Sequence, residues 1–131
     1  MIKGIDHIAI AVQSIEKTAK LFDIYFGLTL DHIERIEKQG IRLATIKIGE
    51  MNIELIEPLT RESSVARFLM KRGEGIHHIA FRVKKIEKVL TELKSKGVKI
   101  VDREPRKGMK GKKIAFLSPG NVAGMLIELC E

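Results

Sequence analysis

The segment GIDHIAIAV, which spans residues 4–12, occurs a second time as GIHHIAFRV over residues 75–83. An Ile-Glu-Lys triplet follows each copy at the same offset of 71 residues. Further along, MNIELIE at residues 51–57 is matched by MLIELCE at residues 125–131, now with an offset of 74 residues. One loop insertion accounts for the change in offset. The chain therefore contains two copies of one structural unit.

Both copies have the same predicted order of elements. The first segment is rich in Ile, Val and Ala, which favours a strand. A stretch with helical spacing of apolar residues follows and ends at Gly27 or Gly97. Three extended segments complete each copy, the first of them in the second copy being residues 98–102. The predicted single domain, residues 1–131, consists of a first module at about 1–59, a connector with a helix at 60–74, and a second module at about 75–131.

Alternation along the strands decides which polar residues share a face, because strand side chains point to opposite faces in turn. His7 lies on the face opposite to the apolar residues of its strand, and His78 lies on the matching face in the second copy. The adjacent His77 is predicted to point the other way, towards the helix side. Alternation therefore distinguishes His78 from its neighbour as the counterpart of His7.

Two glutamates complete this polar set. Glu54 and Glu128 each stand between apolar strand residues at matching positions of the two copies. A carboxylate in such a position is costly to bury unless another group pairs with it. Two histidines and two glutamates supply nitrogen and oxygen ligands for a divalent metal, with coordination positions left for water or substrate. We predict an α+β fold in which paired βαβββ modules form a curled mixed sheet around this metal-binding cleft, with the helices outside.

The composition limits the partners of the chain. The formal charge is +7 and the pI is about 9.6, but Phe and Tyr number only six, so the exposed aromatic residues of a nucleic-acid surface are lacking. Abundant Lys, Arg and Glu with few Asn and Gln resemble the surface of a thermophilic protein. No apolar run reaches the length of a membrane span, and no signal peptide precedes the first strand. We expect a cytoplasmic protein that binds neither nucleic acid nor membranes.

The paired segments at residues 6–9 and 77–80, each followed by an Ile-Glu-Leu segment, resemble the vicinal oxygen chelate superfamily of glyoxalases, bleomycin resistance proteins and dioxygenases. Within it, the chain is most similar to the methylmalonyl-CoA epimerases, over essentially its whole length. The resemblance implies a homodimer that binds a divalent metal, Co²⁺ first and Mn²⁺, Ni²⁺ or Zn²⁺ as alternatives. The implied metal ligands are His7, Glu54, His78 and Glu128.

The resemblance also implies a reaction, the interconversion of (2R)- and (2S)-methylmalonyl-CoA through a metal-stabilised enolate. Two acid/base groups are needed. In the family they are the last metal-ligand glutamate, here Glu128, and an acidic residue that shortly precedes the second strand. The chain departs from the family pattern at the second group, because Glu37-Lys38-Gln39 replaces Pro-Glu-Gln or Pro-Asp-Gln. Either Glu37 takes the role after a one-residue shift, or Lys38 does so with a pKa lowered by burial.

The coenzyme A moiety of such a substrate carries phosphates. Lys112 and Lys113 belong to a Gly/Lys-rich loop at residues 107–113 that could bind them, and Arg82 could contact a carboxylate. Two other functions remain open. One is a glyoxalase I-like metal-dependent lyase or isomerase, which also moves a proton beside a carbonyl. The other is a non-enzymatic protein of the same fold that binds a small ligand.

Overall fold

The computed structural model describes all 131 residues, Met1–Glu131. They form two compact units, one of residues 7–77 and the other of residues 1–6 together with residues 78–131. No helix is long and apolar enough to cross a membrane. The strands and α-helices are β1 (Gly4–Ala11), α1 (Ile15–Phe26), β2 (Leu30–Ile36), β3 (Ile41–Ile48), β4 (Met51–Pro58), α2 (Ser64–Arg72), β5 (Gly75–Arg82), α3 (Ile86–Ser95), β6 (Arg106–Lys107), β7 (Lys113–Leu117) and β8 (Ile127–Cys130).

In the unit of residues 7–77, the strands lie in the order β2-β3-β4-β1. β1 runs parallel to β4, and β3 runs antiparallel to both β2 and β4. Helix α1 begins where the Ser14 hydroxyl accepts a hydrogen bond from the Lys17 N–H, and it ends at Gly27 with a φ of 64°. Ala19 and Phe22 of α1 pack against a core formed by Val12, Ile15, Ala44, Ile46 and Leu55.

In the other unit, the strand order is β5-β8-β7-β6, with β5 parallel to β8 and the remaining pairs antiparallel. Helix α3 covers the core of this unit with its buried residues Ile86, Val89 and Leu90. The predicted fold class is confirmed, because each copy of the repeat folds as a βαβββ module of a mixed sheet and three α-helices accompany them.

The predicted strand at residues 98–102 forms only in part: the Val101 N–H donates to the Phe116 carbonyl and the Ser118 N–H to the Lys99 carbonyl, both at 2.9 Å. Only Ile100 forms an isolated bridge, to Leu117, and the regular strand before β7 is instead β6. The physical reason lies in Asp102, whose Oδ2 accepts the N–H of Phe116 at 2.7 Å. A side chain thus takes a hydrogen bond that a neighbouring strand would otherwise accept, and regular pairing ends there.

A glutamate at the end of the last strand of each module caps the helix of that module. Glu57 Oε2 accepts the N–H of Ile15 at 2.8 Å, and Glu131 Oε2 accepts the N–H of Ile86 at 2.6 Å. The first N–H groups of a helix have no partner within the helix, and a carboxylate there also interacts favourably with the helix dipole. Each cap ties the strand that carries a candidate metal ligand, three residues earlier, to its helix.

We expect Glu131→Ala to lower the free energy of unfolding by about 1 kcal/mol, the usual effect of losing a helix cap. Lys85, which precedes α3, offers no side-chain cap, so Glu131 has no substitute. Urea unfolding followed by circular dichroism measures the change, with the exposed Glu104→Ala as the control of equal charge. An unfolding midpoint of Glu131→Ala equal to that of the wild type would contradict the capping role.

Candidate metal centre

A buried histidine–glutamate pair connects strands β1 and β4. His7 Nδ1 lies 3.2 Å from Glu54 Oε2, and the two side chains are only 4% and 5% exposed. The parallel register sets Ala9 opposite Glu54, so that a fully buried methyl group is the neighbour of the carboxylate. On the other side, β3 sets the buried Thr45 opposite Glu54. Small neighbours leave room for the imidazole and carboxylate to approach each other.

The same arrangement recurs between strands β5 and β8. His78 Nε2 lies 3.2 Å from Glu128 Oε2, with side chains 6% and 5% exposed. Ala80, again fully buried, stands opposite Glu128 in the parallel register. In both modules, therefore, an alanine two residues after the histidine stands opposite the glutamate.

The two pairs have the chemistry of metal ligands. A buried carboxylate without a compensating charge or hydrogen bond is strongly disfavoured, so each glutamate requires a polar neighbour. An imidazole nitrogen and a carboxylate oxygen are the ligand types that bind first-row divalent metals. The residues present fit such an ion: each pair offers one nitrogen and one oxygen from rigid strands rather than from loops.

The adjacent histidines of β5 have different neighbours, as the alternation predicts. The ring of His77 packs against the ring of Phe68 in helix α2, with centroids 4.9 Å apart. The ring of His78 meets Phe116 of β7 edge-on, with centroids 5.1 Å apart. Phe116 itself stands opposite Glu128 in the antiparallel register. No sequence pattern predicts Phe116 as part of this site, because the register of β7 against β8 has no signature in the sequence.

The two candidates for the second acid/base group lie in a 3-10 turn at Glu37–Gln39. The carboxylate of Glu37 is 72% exposed and accepts a hydrogen bond from Arg35 Nε at 2.9 Å. Lys38 is also exposed, so the burial on which its candidacy depended is absent. No hydrogen bond or ion pair joins Glu37 or Lys38 to the His7–Glu54 pair of the same unit.

The three candidate CoA-binding cations separate into two groups. Lys112 Nζ lies 3.3 Å from Asp6 Oδ2, and Arg82 Nε lies 3.9 Å from the same oxygen. Lys113 instead forms an ion pair of 2.8 Å with Glu87 of helix α3. The hydrogen bond between them raises the pKa of Lys113 and lowers that of Glu87. The structure thus brings Lys112 and Arg82 together at Asp6 and directs Lys113 elsewhere.

The chain is similar to known proteins over most of its length. Residues 6–116 match the model of the Glyoxalase/Bleomycin resistance protein/Dioxygenase superfamily. An uncharacterized protein of Bacillus subtilis (strain 168), YqjC, is 45% identical over 127 residues, which cover 97% of this chain and 91% of that protein. The mitochondrial methylmalonyl-CoA epimerase of Homo sapiens is 32% identical over 126 residues, covering 95% of this chain and 72% of the human protein.

Solved structures of the Streptomyces coelicolor methylmalonyl-CoA epimerase in complex with 2-nitronate-propionyl-CoA are also similar. Two of them have a TM-score of 0.95 and 36% identity, and cover 99% of this chain and 97% of those chains. One carries a glutamate-to-glutamine substitution, and the other carries a glutamine-to-alanine substitution 17 positions further along.

The different positions of the adjacent histidines give a test of the metal ligands. We expect His78→Ala to weaken the binding of Co²⁺ by at least about 100-fold, since a ligand contributes more than the groups that orient it. His77→Ala, the matched control, should bind Co²⁺ as the wild type does. Equilibrium dialysis followed by elemental analysis measures both affinities. A loss of Co²⁺ from His77→Ala with retention by His78→Ala would contradict the assignment.

Proposed function

Because the chain belongs to the glyoxalase/bleomycin resistance protein/dioxygenase superfamily, we propose that it is a metal-dependent epimerase of (2R)- and (2S)-methylmalonyl-CoA. One observation carries the proposal: a buried histidine–glutamate pair at 3.2 Å occurs in each of the two modules. Relatives named methylmalonyl-CoA epimerases, similar over nearly the whole chain, favour this substrate over others that the superfamily uses.

The proposed metal ligands are His7, Glu54, His78 and Glu128, acting together on one divalent ion. Two nitrogen and two oxygen ligands suit Co²⁺, with Mn²⁺, Ni²⁺ and Zn²⁺ as alternatives, and an octahedral ion would retain two positions for substrate oxygens. When bound, the ion would stabilise the negative charge that develops on the thioester oxygen as the α-proton leaves. A non-haem oxygenase uses two histidines and one carboxylate, so the second glutamate argues against that chemistry.

Epimerisation requires that a proton be removed from one face of the α-carbon and delivered to the other. We assign the two acid/base roles to Glu128 and Glu37. Glu37 precedes Glu54 by 17 positions, the same spacing as between the two substituted positions in the Streptomyces coelicolor structures. Lys38 does not have this spacing. The exposure of Glu37 suits an acid/base group, because water can replace the transferred proton between turnovers.

A glyoxalase I-like lyase or isomerase is the alternative within the superfamily, because it uses a similar ligand set and also moves a proton beside a carbonyl. The names of the relatives favour the epimerase. A non-enzymatic binding protein would not require a complete set of four ligands. The homodimer and the cytoplasmic location remain predictions from the sequence.

The proposed reaction is tested by deuterium exchange into methylmalonyl-CoA in D₂O, followed by mass spectrometry. We expect α-deuteration by the Co²⁺-loaded protein and a loss of exchange after the metal is removed with a chelator. Glu128→Gln should slow epimerisation by about 100-fold or more, the usual contribution of a general base. Absence of exchange with the fully metallated wild type would refute the epimerase, and formation of a thioester from methylglyoxal and glutathione would then favour the glyoxalase-like function.

The second acid/base group is tested by comparing Glu37→Gln with Lys38→Gln. We expect Glu37→Gln to lose epimerisation by about 100-fold or more. It should still exchange the α-proton of one stereoisomer, because Glu128 continues to serve that face. Lys38→Gln, one residue away in the same exposed turn, should retain both activities. The opposite result, loss in Lys38→Gln alone, would assign the role to Lys38.

A further inference from the structure

Arg106 has no role in the proposed reaction so far, and it shares an aromatic neighbour with His78 of the His78–Glu128 pair. Its guanidinium carbon lies over the ring of Phe116, 5.2 Å from the ring centroid. The same ring meets the His78 imidazole edge-on, with centroids 5.1 Å apart. The guanidinium therefore lies no farther from the His78 ring than the sum of these two distances. Phe116 therefore contacts both this positive charge and one histidine of the candidate metal centre.

Asp102 forms an ion pair with this guanidinium. Its Oδ1 lies 3.4 Å from Arg106 Nε, while its Oδ2 accepts the backbone N–H of Phe116. The side chain of Asp102 is only 16% exposed, whereas that of Arg106 is 46% exposed. The aromatic face and the carboxylate therefore hold two sides of the guanidinium group. Asp102 is the only ion-pair partner of Arg106, and it approaches Nε, so the edge with the two terminal nitrogens remains available.

Like Arg106, the other candidate cations form ion pairs with carboxylates of the protein, but they differ from it in their aromatic contacts. Arg82 and Lys112 share Asp6, and the Arg82 Nη2 also donates to the carbonyl of Ile5 at 3.2 Å. Lys113 is paired with Glu87 on helix α3. Among these four cations, Arg106 alone is stacked on an aromatic ring that touches a candidate metal ligand.

We propose that Arg106 binds the free carboxylate of the acyl group, so that the site selects acyl-CoA esters of dicarboxylic acids. This inference rests on the proposed function, because the acyl group must lie at the His78–Glu128 pair for Arg106 to reach it. The planar edge of a guanidinium donates two parallel hydrogen bonds to a carboxylate, a geometry that a lysine ammonium does not provide. Its contacts with Asp102 and Phe116 restrict its position before the substrate binds, which lowers the ordering cost.

A CoA phosphate has the same anionic oxygens as a carboxylate and is the other possible source of the ligand. The phosphates stand at the far end of the pantetheine arm from the thioester, whereas the carboxylate is attached to the α-carbon. The contact of one ring, Phe116, with both Arg106 and His78 therefore favours the carboxylate. Two CoA esters separate the two sources: malonyl-CoA has the free carboxylate, and propionyl-CoA has the same CoA moiety without one.

The experiment is calorimetric titration of the Co²⁺-loaded protein with malonyl-CoA and with propionyl-CoA. We expect Arg106→Gln to weaken malonyl-CoA binding by about 10-fold or more, the effect of losing hydrogen bonds to a charged group, and to leave propionyl-CoA binding unchanged. Arg106→Lys, which retains the charge, should lose part of the affinity for malonyl-CoA. Arg103→Gln, at an exposed position of the same loop, is the control of equal charge and should bind both esters as the wild type does.

An equal loss of affinity for both esters in Arg106→Gln would show that Arg106 binds a CoA phosphate and would overturn the inference. Unchanged binding of malonyl-CoA would overturn it as well. The proposed function is checked in parallel by deuterium exchange into malonyl-CoA. If the wild type exchanges the α-proton but Arg106→Gln shows no selective loss of malonyl-CoA binding, this inference alone is rejected. If the wild type exchanges no α-proton, the proposed function is rejected and the inference with it.

Discussion

The constraint on which the site depends is that a buried carboxylate must have a compensating partner. Glu54 and Glu128 lie within strands whose neighbouring residues are apolar, and each has an imidazole nitrogen 3.2 Å from its carboxylate oxygen. This proximity requires a small residue opposite each glutamate, which Ala9 and Ala80 provide. The need to compensate a buried carboxylate therefore accounts for a pattern that both modules share. In each, a histidine is followed two residues later by an alanine, and the parallel neighbouring strand carries the glutamate.

The same duplication governs how the glutamate-bearing strands are held. Glu57 and Glu131 each follow a proposed metal-ligand glutamate by three residues and cap the helix of their module. Three positions along a strand reverse the face, so the ligand and the cap point to opposite sides of the sheet. Each of these strands therefore carries two carboxylates, one on the polar face of the sheet and one that caps the helix on the opposite face. Rigid support of this kind suits a site whose ligands must keep a fixed geometry.

The proposed chemistry divides these residues by burial. The histidine–glutamate pairs are almost inaccessible to solvent, which strengthens their interaction with a cation and with a developing enolate charge. Glu37, by contrast, lies in an exposed turn beside Arg35, where a proton can exchange with water. Arg106 is intermediate in exposure, and it stacks on the ring of Phe116, which contacts the proposed metal ligand His78. In the proposed mechanism, the metal ligands, the second acid/base group and the group that recognises the substrate therefore differ in their exposure to solvent.

The sequence by itself determined the features that depend on local periodicity. The repeat predicted two βαβββ modules, and alternation within single strands separated His78 from His77 and set Glu54 and Glu128 apart from their apolar neighbours. Only the tertiary structure decided the contacts between segments that are distant in sequence. Asp6 meets Lys112 although 106 positions separate them, and Asp102 reaches the amide of Phe116 and ends a predicted strand. Such contacts depend on the register between strands and on the conformation of irregular loops that carry the contacting side chains. Neither leaves a periodic pattern in the sequence.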